Sequence, residues 1–229
     1  MPIEAVIFDL DGTLTSFNLD YRTIRAEVRS YLVRMGVPPS VLSLNESIFE
    51  MLKKTEIFMK NAGKLEKAFE EIRGHALAIA EKYELEAARN TSLLPGVQET
   101  LKALKKMNLK IGLCTINSEK STNYILKRFG LIEFFDAVIH RNKVKYVKPN
   151  PEHLEAALKA LGKTANKTMV VGDGSTDMRS AKELKAIAVG LPTGISSMEQ
   201  LVNHGANYII TSITDLPILI AEINKTHEA

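Results

Sequence analysis

The sequence predicts an α/β protein with a doubly wound, mostly parallel sheet and an α-helical cap domain inserted after the first strand. Three observations carry this. Six short apolar runs rich in branched side chains read as strands. From Pro95 onward those runs alternate with helical stretches, the pattern of a parallel sheet with crossover helices. Residues 17–90, by contrast, show helical periodicity alone. A core domain of residues 1–16 and 91–229 and a helical cap of residues 17–90 are therefore expected.

Residues 4–8 form the first expected strand, stopped by the turn former Asp11-Gly12. Tyr21, Ile24, Val28, Tyr31, Leu32 and Met35 then recur at helical spacing, until Gly36, Pro38 and Pro39 end the pattern. Two more helical stripes follow, one through Ile48, Met51, Leu52, Thr55, Phe58 and Met59, the other through Leu65, Phe69, Ile72, Ala76, Ile79 and Tyr83. Beyond Pro95 the strands are "KIGLC", "FDAVI", "TMVVGD", "AIAVG" and "ANYII", each with a helical stretch before the next and a closing helix from about Thr214.

Composition narrows the class of function. The net charge of +3 arises from 30 basic and 27 acidic residues that are well mixed. With no basic block or aromatic-interleaved stripe, no nucleic-acid partner is expected. The single cysteine, Cys114, lies in an apolar run, so no intrachain disulfide is possible and a buried thiol is expected. The N-terminal apolar run is broken at Asp9, and no window approaches the roughly 18 apolar residues that a membrane-spanning helix needs. The expectation is a cytoplasmic protein with no membrane partner.

In an open parallel sheet, ligands bind beyond the carboxyl ends of the strands. The polar residues at those ends are Asp9, Asp11 and Thr13 after the first strand, Thr115, Asn117 and Ser118 after "KIGLC", and Asp173 and Asp177 around "TMVVGD". Lys148 adds a cation in "KYVKPNPEH". Converging carboxylates repel unless a positive charge neutralises them. An all-oxygen donor set without His or Cys suits Mg2+ rather than zinc. A hydroxyl at Thr115 and an ammonium at Lys148 beside such a site suit a phosphate. Taken singly, Asp11-Gly12 reads as a turn, "GDGSTD" as a helix cap and Lys148 as a surface charge. Their shared placement at strand ends of one fold favours the site.

"DLDGT" at 9–13, Thr115 after a strand, Lys148 in "KPNPE", and Gly172-Asp173 with Asp177 four residues on resemble the haloacid dehalogenase superfamily. The resemblance spans essentially the whole chain and is strongest toward phosphoglycolate phosphatase-like members. It implies phosphoryl transfer through an aspartyl-phosphate, with Asp9 as nucleophile and Asp11 as general acid and then base. Mg2+ would be held by Asp9, the Asp11 backbone carbonyl and Asp173, with Asp177 beside these ligands. Thr115 and Lys148 would hold the phosphoryl oxygens, and Gly12 and Thr13 would support the loop. An acid at position 11 separates phosphate-ester chemistry from the dehalogenase and phosphonatase branches.

The implied substrate is a small phosphorylated metabolite, a phosphoglycolate-like molecule or a sugar phosphate. The alternative is a phosphoglucomutase-like isomerase of the same superfamily. Two positions depart from the family pattern. The second motif reads Thr-Ile-Asn-Ser, where many members place Asn directly after Thr, and Lys145 competes with Lys148 for the third motif. A receiver-type phosphoacceptor module fits less well, because the chain is longer and the acidic pair is spaced D-x-D. Arg22, Arg25, Lys53, Lys54, Arg73 and His75 in the helical block read as solvated helix faces, and His75, His140 and His153 show no metal spacing.

Overall fold

The computed structural model describes residues 2–226. Its sheet comprises β1 (Ala5–Phe8), β2 (Lys110–Thr115), β3 (Ala137–His140), β4 (Thr168–Gly172), β5 (Ile187–Gly190) and β6 (Tyr208–Ile209), in the order β3-β2-β1-β4-β5-β6. Every neighbouring pair is parallel. This is the α/β architecture expected from the alternation of apolar runs.

Each strand of β1 to β5 carries an almost uninterrupted apolar run because both of its faces are covered. All four residues of β1 are buried to 0% exposure. Ala5 and Ile7 pack against Leu154, Ala157, Leu158 and Leu161 of α6 (Pro151–Leu161) and Met178 and Ala181 of α7 (Ser175–Glu183). Val6 and Phe8, of opposite parity, are equally buried on the other face. Each such side chain stabilises the fold by about 1.5–3 kcal/mol. The β3 strand starts later than the run "FDAVI" suggests. Asp136 lies outside it, accepting from Ile111 N at 2.8 Å, Lys105 Nζ at 2.7 Å and Lys110 Nζ at 2.9 Å.

The direction of winding changes at β1, since β2 and β3 extend the sheet to one side and β4, β5 and β6 to the other. The crevice at the carboxyl ends of β1, β2 and β4 is thus the topological switch point.

The chain divides into two compact units, one formed by the residues up to Asn18 and from Asn90 on, the other by Leu19–Arg89. The second unit contains α1 (Tyr21–Arg34), α2 (Ile48–Asn61) and most of α3 (Glu66–Asn90). Asp20 caps α1 by accepting from Arg22 N and Thr23 N, and Ser47 forms a capping box with Glu50 at α2. Ile24, Val28 and Leu32 of α1, Met51 and Leu52 of α2, and Ala76 and Ala80 of α3 form its core.

The third stripe expected from sequence is shifted. Leu65 precedes α3 and is 78% exposed, while the fully buried line is Phe69, Ala76, Ala80, Glu84 and Ala88. Alanines one turn apart let α3 approach its neighbours closely. Tyr83 lies at the margin of that line, and its hydroxyl donates to Glu27 Oε2 at 2.5 Å. Among the described residues, no helix is long and apolar enough to cross a membrane.

Candidate active site

The site grows from the end of β1. Asp9 N donates to Val171 O at 2.9 Å, which continues the ladder with β4 and brings Asp9 to the mouth of the crevice. The chain then folds sharply, with the N–H groups of Thr13, Leu14 and Thr15 all donating to Leu10 O. Gly12 makes this turn possible. Its φ is +80°, and a Cβ there would lie 2.5 Å from Asp173 Cγ.

Lys148 binds the crevice together. Its ammonium donates to Asp9 Oδ1 at 2.8 Å, Asp177 Oδ1 at 2.5 Å and Cys114 O at 2.7 Å, which occupies all three N–H groups. Its backbone N–H donates to His153 Nδ1 at 3.3 Å, while His153 Nε2 lies 3.3 Å from Ile139 O. The imidazole is therefore neutral with its proton on Nε2. Burial and the Lys148 charge push its pKa down to about 3.

Asp173, beyond β4, accepts from Thr13 Oγ1 at 3.2 Å and from Ile195 N at 2.9 Å. Asp177, in the first turn of α7, also accepts from Gly174 N at 3.2 Å. Asp9, Asp173 and Asp177 each bring a carboxylate oxygen within 4.8 Å of the other two. Burial raises the pKa values of Asp173 and Asp177, and repulsion from Asp9 adds to it. For Lys148 burial acts downward, but Asp177 and Asp9 outweigh it and raise the ammonium well above the ordinary lysine value. One lysine facing three carboxylates leaves an excess of negative charge in a buried pocket. This donor set fits a hard divalent cation.

Asp11 is held differently. Its Oδ1 accepts from Thr15 Oγ1 at 3.1 Å and its Oδ2 from Asn117 Nδ2 at 2.6 Å. Its side chain lies outside the three-carboxylate cluster. Thr115 ends β2 with 1% exposure, and its hydroxyl accepts from Asn117 N at 3.2 Å.

The structure thus brings Asp9, Lys148, Asp173 and Asp177 into direct contact or close approach, with Thr13 bonded to Asp173 rather than only shaping the loop. Lys145 does not join them. Its ammonium lies over the Tyr146 ring, 5.4 Å from the centroid. In the helical unit, Lys54 pairs with Glu46, Arg73 with Glu70, and Arg25 lies over the Tyr21 ring. Burial pushes the Cys114 thiol up to about 12, so it stays protonated.

Sequence reasoning missed the loop after β5. Thr193 Oγ1 donates to Gly12 O at 2.5 Å, Ile195 N donates to Asp173, and Ser196 Oγ accepts from Ser175 N at 3.1 Å. Gly194 passes so close to Asp173 that a Cβ would collide with its carboxylate. The available signal was positional: "LPTGISS" follows a strand end in the same crevice, but it holds no charge to draw attention.

Three comparisons bear on this arrangement. The model of the haloacid dehalogenase-like hydrolase family matches residues 3–185. A pyrophosphatase PpaX from Halalkalibacterium halodurans is 30% identical over 224 residues, covering 94% of this chain and 96% of that one. A hydrolase from Pseudomonas syringae superposes with a TM-score of 0.67 at 26% identity over 96% of this chain and 99% of its own. A predicted phosphoglycolate phosphatase from Haemophilus somnus shares the fold, with a TM-score of 0.64 at 22% identity over 95% of this chain and 97% of that one.

Proposed function

The chain belongs to the haloacid dehalogenase-like hydrolases, and on that premise we propose that it is a Mg2+-dependent phosphatase acting on a small phosphorylated metabolite through an aspartyl-phosphate. The observation that carries this reading is the state of Asp9. Lys148 fixes its Oδ1 at 2.8 Å, while its Oδ2 accepts no hydrogen bond among the described residues. A carboxylate fixed at one oxygen and open at the other is prepared for nucleophilic attack.

In this reading an Asp9 oxygen attacks phosphorus, and the bond from phosphorus to the leaving oxygen breaks. Asp11 gives that oxygen its proton. Asp11 then takes a proton from water, whose oxygen attacks phosphorus and frees the Asp9 carboxylate. Lys148 and Thr115 hold the phosphoryl oxygens, joined by backbone N–H groups of the loop after β1. Asp9, Asp173 and the Asp11 backbone carbonyl would hold Mg2+, with Asp177 beside them. The bound ion would offset charge on the phosphoryl group. The helical unit Leu19–Arg89 serves as a cap domain that selects the substrate.

A phosphoglycolate-like or sugar phosphate is the first substrate class. Inorganic pyrophosphate is the second, favoured by the 30% identical relative named as a pyrophosphatase. Its leaving group departs more readily than an alkoxide and depends less on a proton from Asp11.

The test is phosphate release from a panel including 2-phosphoglycolate, pyrophosphate and β-glucose 1-phosphate, with Mg2+ and with chelator. Wild type should turn over at least one compound only with the metal, and Asp9→Asn should lose activity by about 10³-fold or more. Activity persisting in Asp9→Asn would sink the covalent route. Conversion of β-glucose 1-phosphate to glucose 6-phosphate without net release would make the protein a mutase.

A further inference from the structure

We infer that Asn117 is the positioning residue that aims the Asp11 carboxyl at the leaving group, an inference that rests on the phosphatase reading above. Asn117 is 2% exposed, and its Nδ2 donates to Asp11 Oδ2 at 2.6 Å. At that separation the amide must present its N–H, because its carbonyl would repel the carboxylate.

The amide is itself held on both sides. Asn117 N donates to Thr115 Oγ1 at 3.2 Å, and Asn117 O accepts from Arg141 N at 3.1 Å. Arg141, 3% exposed at the end of β3, also donates from Nη1 to Ile116 O at 3.2 Å. The carboxyl ends of β2 and β3 therefore fix the position from which Asn117 reaches Asp11. Thr15 Oγ1 engages the other carboxyl oxygen at 3.1 Å. Two donors from separate segments set the plane of the Asp11 carboxyl.

A purely structural role does not account for this side chain. The hydrogen bonds of the turn come from the Asn117 backbone. Capping of α5 (Glu119–Arg128) falls to Ser118, whose hydroxyl accepts from Ser121 N. The Asn117 amide goes to Asp11. A neutral donor orients a carboxyl without adding a charge, which a proton-transferring group requires and a second lysine would spoil. The shift of Asn from directly after Thr115 to one residue later lets a side chain do this at the turn.

General acid catalysis contributes about 10²–10⁴-fold and depends on placement. Its loss therefore depends on how badly the leaving group needs a proton. The experiment compares kcat/KM for 2-phosphoglycolate, which expels an alkoxide, with that for p-nitrophenyl phosphate, which expels a stable phenolate. Wild type, Asn117→Leu, Asn117→Asp, Asp11→Ala and the Asp11→Ala/Asn117→Leu double variant are measured.

The Asn117 variants should lose about 10-fold or more beyond their loss on the aryl substrate when given the alkyl one. Asp11→Ala should show the same bias, and the double variant should lose no more than Asp11→Ala alone. Equal losses on the two substrates, or additive losses in the double variant, would overturn the role of Asn117. Should both Asn117 variants fail to fold, the Asn117 Nδ2 proton resonance decides. It should be shifted downfield in wild type and move in Asp11→Ala, and an unchanged resonance overturns the inference. If wild type turns over neither substrate, the phosphatase reading falls, a result distinct from any of these.

Discussion

Lys148 places its ammonium 2.8 Å from Asp9 Oδ1 although 139 residues separate the two in sequence. The same group reaches Asp177, whose side chain is 2% exposed, against 3% for that of Lys148. The pair is therefore a fixed part of the core. Removing its cation should harm both stability and chemistry.

Lys148→Met keeps the bulk and removes the charge. Leaving Asp177 buried and unpaired should cost about 3–5 kcal/mol without metal, measured by urea denaturation in chelator. Phosphate release should fall by about 10²-fold or more. A variant as stable as wild type would show that the ion pair is not a structural requirement.

Thr193 should matter because its hydroxyl donates to Gly12 O in the turn that carries Asp11. Thr193→Val leaves that carbonyl without this donor and should cost about 1–2 kcal/mol, together with a fall in kcat/KM. Thr193→Ser should recover most of both. Thermal unfolding and initial rates on the three proteins check this, and equal behaviour of Val and Ser variants would refute it.

His153 makes stability sensitive to mild acid. Its folded pKa of about 3 lies below the unfolded value of 6.5, so between those values the unfolded chain binds the extra proton. Stability from this group is present above pH 6.5 and drains away as pH falls toward 3. By pH 5 the loss should reach about 2 kcal/mol, and His153→Gln should flatten that part of the profile. Urea midpoints at pH 5, 6 and 7 read it directly.

Asp136 acts in stronger acid. Burial pulls its pKa upward, but Lys105, the Ile111 N–H and Lys110 together hold it down to about 2. The unfolded carboxyl titrates near 3.8, so its contribution is complete above that pH and lost as pH falls toward 2. Both lysines are partly exposed, so solvent screening limits the effect to about 1 kcal/mol. Asp136→Asn should remove this amount at pH 7 and make no difference at pH 2.

The residues of the crevice differ in how well sequence exposes them. Asp9, Asp11 and Asp173 stand out because a carboxylate at the end of an apolar strand is costly without a partner. Lys148 could be preferred to Lys145 only from the "PNPE" that follows, and the distances to Asp9 and Asp177 separate the two by geometry. Thr193 and Gly194 had no such signature, since a hydroxyl and a glycine after a strand are ordinary, and only their approach to Gly12 and Asp173 marks them. Leu65 erred the other way, joining a periodic stripe in sequence yet lying outside the helix that would have buried it. Periodicity reports which face is apolar, not where the helix begins.

The central position of β1 also has a consequence for biosynthesis. Ala5 pairs with Lys110 on one side and Thr168 on the other, so the first strand to leave the ribosome cannot be paired on both edges until most of the chain has been made. Its partners are distant, and closing such long loops is slow. Asp9 meets Lys148 and Asp177 only after that closure. A nascent chain that stops short of α7 therefore carries the nucleophile but no site, and the crowded carboxylates come together only once their neutralising lysine has been synthesised.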